Sequence, residues 1–403
     1  MARSLLCSAL PSSVRVQRDT LLPGQRSKPS CFATNGLPAL KKHVHRALVL
    51  SRSSGRNFGV HATSNIDENS PPDGNKVGMS QTELAAALRE LDTNLAKAMA
   101  EEDGAFVAEE KALAVVRTLQ EAGQLSGFGR GRGVPKRQYT LADLRLNNID
   151  PQALLSPTDT TLEGVRKTCT IAAVAGSLAA ALAFHWEFVE LGKILFAVVT
   201  AKTVDGIVNG GGGEALLLDI IGGKISKEYT ERVKQHEAGH FLAAYLLGVL
   251  PKGYTLSSLD AFVKYGALNV QAGTVFCDRV FQKEISKGRV SSAYVDQFSC
   301  IALAGVGVEY LKFGQAEGGL SDVNQMDELM RGLGFTQKKA DDQVRYAVLN
   351  TVALLRQHAA THSALADAMA RGSSVAECIQ VIEANLDRSE LTSEERSAAT
   401  AST

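Results

Sequence analysis

Residues 236 to 240 read HEAGH, and this is where the chain can do chemistry. His236 and His240 are four apart, so on a helix they share one face and each can offer a ring nitrogen to one zinc ion. Glu237 follows the first histidine, placed to act as general base on a zinc-activated water. The flanks predict the helix. Lys227, Glu228, Glu231 and Arg232 lead in, Phe241, Leu242, Tyr245 and Leu246 make an apolar stripe, and Gly248 and Pro251 end it.

Two histidines do not complete a catalytic zinc site, which takes a third protein ligand. The extended pattern H-E-x-x-H-x-x-G-x-x-H fails, because Ala243 and Leu246 stand where Gly and His belong. A deformylase-type cysteine ligand in an EGC context is missing upstream. An intramembrane protease would set the motif inside an apolar span, but Arg232 and Lys234 immediately precede it, and no later Asn-Pro-Asp-Gly follows. His358 and His362 repeat the four-residue spacing without an adjacent acid and read as solvated helix surface.

The remaining chain must position this helix. Its 43 basic and 43 acidic side chains balance, and 45% of residues are apolar, which excludes a wholly disordered protein and argues against nucleic-acid binding. The balance hides an asymmetry: residues 1–62 carry ten Lys/Arg against the single acid Asp19, leaving 33 basic against 42 acidic groups. A Ser- and Arg-rich, acid-poor leader without a continuous apolar stretch reads as an organellar transit peptide, and its Ser/Ala-rich start leans to the chloroplast. Six dispersed cysteines form no C-x-x-C pair and fit a reducing compartment.

After a linker at 63–79, helical periodicity over 80–122 with a break at Gly104 predicts a helical hairpin. Residues 123–165 read as linker, glycine-rich at 126–134, with a short helix and loop from 139. The apolar segment 166–201 contains an uncharged run from Thr168 to Phe184, which is either one membrane helix or half of a buried hairpin; the run from Phe188 to Ala201, with Glu190 and Lys193, is too short and polar to span alone. The GGGG at 210–213 is not a phosphate loop, and no G-x-x-x-x-G-K-[ST] occurs in the sequence.

Three stretches, QHEAGHFLAAYLLG (235–248), IALAGVGVEYLKFG (301–314) and GGLSDVNQMDEL (318–329), resemble the M41 peptidase domain of the FtsH family over roughly residues 225–388. The resemblance implies Asp322 as third zinc ligand, 82 residues after His240, with Asp327 and Glu309 as alternatives and Glu309 the more structural of the two. With the plastid leader and no AAA ATPase module, the chain is most similar to the stress-regulated zinc metalloproteases of plant and algal chloroplasts. That implies a zinc metalloendopeptidase at the thylakoid or inner envelope membrane, acting on unfolded or membrane-associated proteins. The alternatives are a non-proteolytic scaffold or assembly partner of FtsH-type ATPase complexes, and a purely structural zinc site.

The expected fold is mainly α: the helical hairpin, the apolar segment, then a helical peptidase domain over 225–388 and a tail at 389–403. One or two short strands are expected within 266–276, beside the site helix. Helices are expected at about 291–313, 320–333, 336–358 and 374–387. A large parallel sheet would contradict this.

Overall fold

A computed structural model of the chain describes residues 79–386, apart from 101–104, 132, 158–159, 186, 209–211, 266–271 and 287–289. The expected leader, most of the following linker, the break at Gly104 and the tail lie outside the described residues.

The described chain is mainly helical, as its periodicity predicts. Helices α1 (Gln81–Ala100) and α2 (Ala105–Glu121) pack on each other through Leu91, Leu95, Ala112 and Leu119. Two short helices follow, α3 (Leu141–Leu146) and α4 (Pro151–Leu155), where one helix and a loop were expected. Each has a side-chain cap: Thr140 accepts from the Asp143 amide and Asp150 from that of Gln152. The apolar segment forms α5 (Thr160–Ala183) and α6 (Phe188–Val208), followed by α7 (Gly212–Ile225). The exposure of their large apolar side chains contradicts the buried-hairpin alternative.

Helix α8 (Lys227–Leu246) carries the HEAGH motif and is the centre of the fold. Every residue from Gln235 to Leu246 is buried, so this half of the helix is enclosed on all sides and not merely on one stripe. Ser226 caps its start by accepting from the Tyr229 amide. Its far end is closed by the segment read from sequence as linker. The amides of Gly129 and Gly131 donate to the carbonyls of Tyr245 and Leu246 at 3.1 and 2.8 Å, satisfying acceptors that a helix end leaves open. The adjoining Ser126 and Gly127 amides donate to Glu383, which also accepts from the Tyr245 hydroxyl at 2.6 Å. Leu125, Gly127 and Phe128 are buried in the core, so this stretch is not a free connection: glycine here serves close backbone approach.

Beyond α8 the chain forms β1 (Pro251–Thr255), α9 (Ser258–Tyr265), β2 (Gly273–Phe276) and α10 (Arg279–Ser286). The two strands pair antiparallel, and β2 lies within the stretch expected to hold strands; its partner β1 was not foreseen. The expected helix at 291–313 is broken at Leu303 into α11 (Ser292–Ala302) and α12 (Ala304–Phe313). Then come α13 (Leu320–Gly332), α14 (Gln337–Gln357), α15 (Ala359–Ala370) and α16 (Val375–Asn385). Of these, α15 covers the stretch where the His358/His362 spacing was read as helical.

The His358/His362 reading needs correction. Both are buried, at 3% and 1% exposure, because α15 packs on α8. His362 Nε2 lies 3.0 Å from the Gln235 carbonyl, one residue before the motif, and burial lowers its pKa to about 4. It is a neutral core histidine.

Candidate metal centre

Helix geometry does what the i, i+4 spacing promises. His236 Nε2 and His240 Nε2 lie 3.0 Å apart, both side chains nearly buried. Asp322, in the first turn of α13, brings Oδ2 to 3.2 Å from His236 Nε2 and 3.5 Å from His240 Nε2. Gly319, with φ of +79°, occupies the N-cap without a side-chain cap, so Asp322 is free of capping duty and turned to the histidines. Asp327, the alternative ligand, lies on the exposed face of α13 and pairs with Arg331.

The donor set fits a metal ion. His236 Nδ1 is 2.7 Å from Glu309 Oε1, and His240 Nδ1 is 2.7 Å from the Ile301 carbonyl. Both partners are acceptors, so each Nδ1 carries the hydrogen, and with a metal bound each ring would turn an Nε2 lone pair inward. Two ring nitrogens and a carboxylate oxygen thus converge on one point, where a metal ion could sit. Separations of 3.0, 3.2 and 3.5 Å are close to the roughly 3.3–3.6 Å between ligand atoms of a tetrahedral ion with bonds of ~2.0–2.2 Å. Among the described residues, His236, His240 and Asp322 form the one group with metal-ligand spacing.

Electrostatics point the same way. Burial opposes a charge on His236, but the hydrogen bonds it donates to Asp322 and Glu309 hold its pKa well above the ordinary imidazole value. Burial likewise works against charge on Asp322, yet the two histidines hold its carboxyl well below the usual range. The carboxylate therefore stays ionised and available as a ligand, and a metal ion would take the place of the proton between the rings.

Glu309 turns out to be a positioning residue rather than a ligand. It is 2% exposed and accepts from the Glu317 and Gly318 amides at 2.8 and 3.1 Å, while Arg232 stands 3.5 Å from Oε2. Despite burial, the His236 contact and these amides keep its pKa low. An ionised carboxylate on Nδ1 fixes the ring's orientation and raises the basicity of Nε2. Glu309→Gln is therefore expected to weaken metal affinity about 10–100-fold with the ligands intact, as measured by competition with a chromophoric chelator.

Backbone shape matters as much as side chains here, and sequence reasoning missed it. A Cβ on Gly305 would stand 2.2 Å from His236 Nε2, and one on Gly319 would stand 2.4 Å from Val306 Cγ1 and 3.0 Å from His236 Cε1. Glycine is what leaves the first ligand ring its space. The AG and GG dipeptides within 301–314 and 318–329 were the available signal.

Glu237 is 5% exposed and stands outside the three-ligand group. Thr274 of β2 donates to its Oε2 at 3.0 Å and to its main-chain carbonyl at 3.3 Å. The short sheet therefore has a local role: it holds the candidate base.

No family profile, curated protein or solved structure matches the chain. The functional assignment accordingly rests on the residues themselves.

Proposed function

We propose that this chain is a zinc-dependent endopeptidase of the M41 type, acting at a chloroplast membrane on unfolded or membrane-associated proteins. One observation carries the reading: two Nε2 atoms and one carboxylate oxygen converge within 3.0 to 3.5 Å, next in sequence to a buried glutamate. A set of two imidazoles and one carboxylate is that of hydrolytic zinc sites, in which the fourth position is left to water or substrate.

When bound, zinc supplies the Lewis acidity that polarises a peptide carbonyl and makes water nucleophilic near neutral pH. His236, His240 and Asp322 are the residues that hold it. Glu237 accepts the proton of the attacking water on the carboxylate oxygen that Thr274 does not occupy, and returns it to the leaving amine. Glu309 and the Ile301 carbonyl hold the two rings in the tautomer this requires. The burial of both histidines and Glu237 limits competing water, while Asp322, 22% exposed, marks the more open side.

Unfolded chains are the expected substrates. Hydrolysis consumes no nucleotide, whereas unfolding a native domain must overcome ~5–15 kcal/mol, and the sequence contains no phosphate loop to supply that work. The purified, zinc-loaded protein should therefore degrade a casein-like unfolded chain but leave a stable folded domain intact, with ATP changing neither rate. Activity that appears only when an FtsH-type ATPase is added would recast the chain as a partner subunit.

A further inference from the structure

We infer that α5 and α6 cross a lipid bilayer together, as a two-pass hairpin that returns the chain to the side on which it began. This inference is independent of the chemistry of the metal centre.

Residues before the apolar segment and residues after it build one core. Glu109 of α2 pairs with Lys252 of β1 at 2.6 Å, and the Ala376 amide of α16 donates to Asp92 of α1 at 3.0 Å. Val134 N donates to Asn350, and the Ala316 amide donates to the Ala153 carbonyl. On the far side of the segment, Asp219 of α7 accepts from the Tyr229 hydroxyl of α8 and from the Ser258 amide, both at 2.6 Å. The described residues from 79 to about 155 and from about 219 to 386 thus lie on one side of any membrane. Between those points the chain crosses an even number of times. A single span by α5, the reading that its uncharged run suggests, is incompatible with this fold.

Helix α5 is long and apolar enough to cross over Glu163–Ala183, and little of it is buried. Helix α6 has no buried residue at all, with Phe188, Phe196 and Ile207 at 92%, 73% and 78% exposure. Its apolar side chains lie on every face, whereas a helix made for a partner protein's groove shows one stripe. A continuous apolar surface of this extent in water is a liability, and lipid covers it from all directions at once.

Charged groups are sorted to the two ends of the helix pair. At the base, Glu214 of α7 pairs with Arg166 of α5 at 3.6 Å and with Lys202 of α6 at 3.2 Å, and Asp205 of α6 accepts from the Gly213 and Glu214 amides. One carboxylate thus gathers the start of α5 and the end of α6, so the two helices run antiparallel. At the other end stand His185, Glu187 and the Glu190–Lys193 pair. Between the two charged bands, α5 offers the uncharged Thr168–Phe184, about 26 Å of helix against a hydrocarbon core of ~30 Å. On α6 the uncharged stretch is shorter, Ile194–Ala201, bounded by Lys193 and Lys202, whose long stems can carry their charges outward to the interfaces.

The test is side-specific labelling of the full chain in sealed phosphatidylcholine–phosphatidylglycerol vesicles, captured by a tag at the C-terminus so that this end faces out. Single cysteines replace exposed residues before, within and after the hairpin: Arg89→Cys, Glu187→Cys and Arg371→Cys. A membrane-impermeant maleimide is read peptide by peptide, which separates these sites from the native cysteines. The hairpin predicts that positions 89 and 371 label in intact vesicles and that 187 labels only after permeabilisation. Labelling of all three from outside would overturn the inference in favour of a surface-lying hairpin or a protein partner. Protection of position 89 with 371 exposed would mean a single crossing and would overturn it as well, and so would recovery of the chain in the soluble fraction.

Discussion

Replacing His236 or His240 with alanine is expected to strip the protein of its metal. The three candidate ligands offer three bonds, and an N₂O set reduced to two donors cannot hold a tetrahedral ion against water and buffer. The loss should exceed the about 10–100-fold that removal of an outer partner such as Glu309 costs. Asp322→Asn should act in the same direction, since it removes the negative charge facing both Nε2 atoms. Metal content of each variant after dialysis against a zinc buffer is the measurement. Stoichiometric zinc in both histidine variants would remove the centre from the account. The fold should survive the substitutions, because the cost of two inward-facing lone pairs disappears with either ring while the apolar core around α8 stays in place.

Glu237→Gln should have the opposite pattern: metal retained, turnover lost. The amide has nearly the shape of the carboxylate and can still accept from Thr274, so neither packing nor the ligand group should change. What it cannot do is take a proton. A positioned general base contributes about 10²–10⁴-fold, and initial rates on an unfolded substrate should fall by that order at unchanged zinc content. A variant that keeps the wild-type rate would place the base elsewhere.

How much of this was legible in the sequence differs from residue to residue. His236, Glu237 and His240 could be read directly, because an i, i+4 pair on a helix has its geometry written into its spacing. Asp322 could not be derived that way: it lies 82 positions after His240 with four described helices between, and only the resemblance pointed to it. Glu309 was weighed as a ligand because sequence alone cannot fold an acid onto a metal; that it takes the Nδ1 side of His236 is a tertiary fact. Gly305 and Gly319 gave no chemical signal, since their contribution is the space left by a missing side chain.

The misreadings share one cause. His358 and His362 were assigned to solvent because no acid accompanied them, but the alanine-rich α15 hides its burial: alanine packs closely without producing a strong apolar stripe. The stretch at 126–134 was read as linker because glycine marks turns, whereas here it allows backbone to reach the carbonyl end of α8. Strand β1 is five residues long and includes Pro, Lys and Gly, a composition that carries little strand signal. In each case the deciding partner is distant in sequence, and local pattern carries no information about it.

The central claim, that three converging ligands and one adjacent carboxylate make a hydrolytic zinc centre, is tested most directly by titrating metal-free protein with zinc while following cleavage of an unfolded casein substrate. The account predicts no cleavage without metal, a rate that rises linearly with added zinc, and saturation at one equivalent. A protein that binds one equivalent tightly and remains inert throughout would contradict it, and the site would then be a structural metal centre in a scaffold.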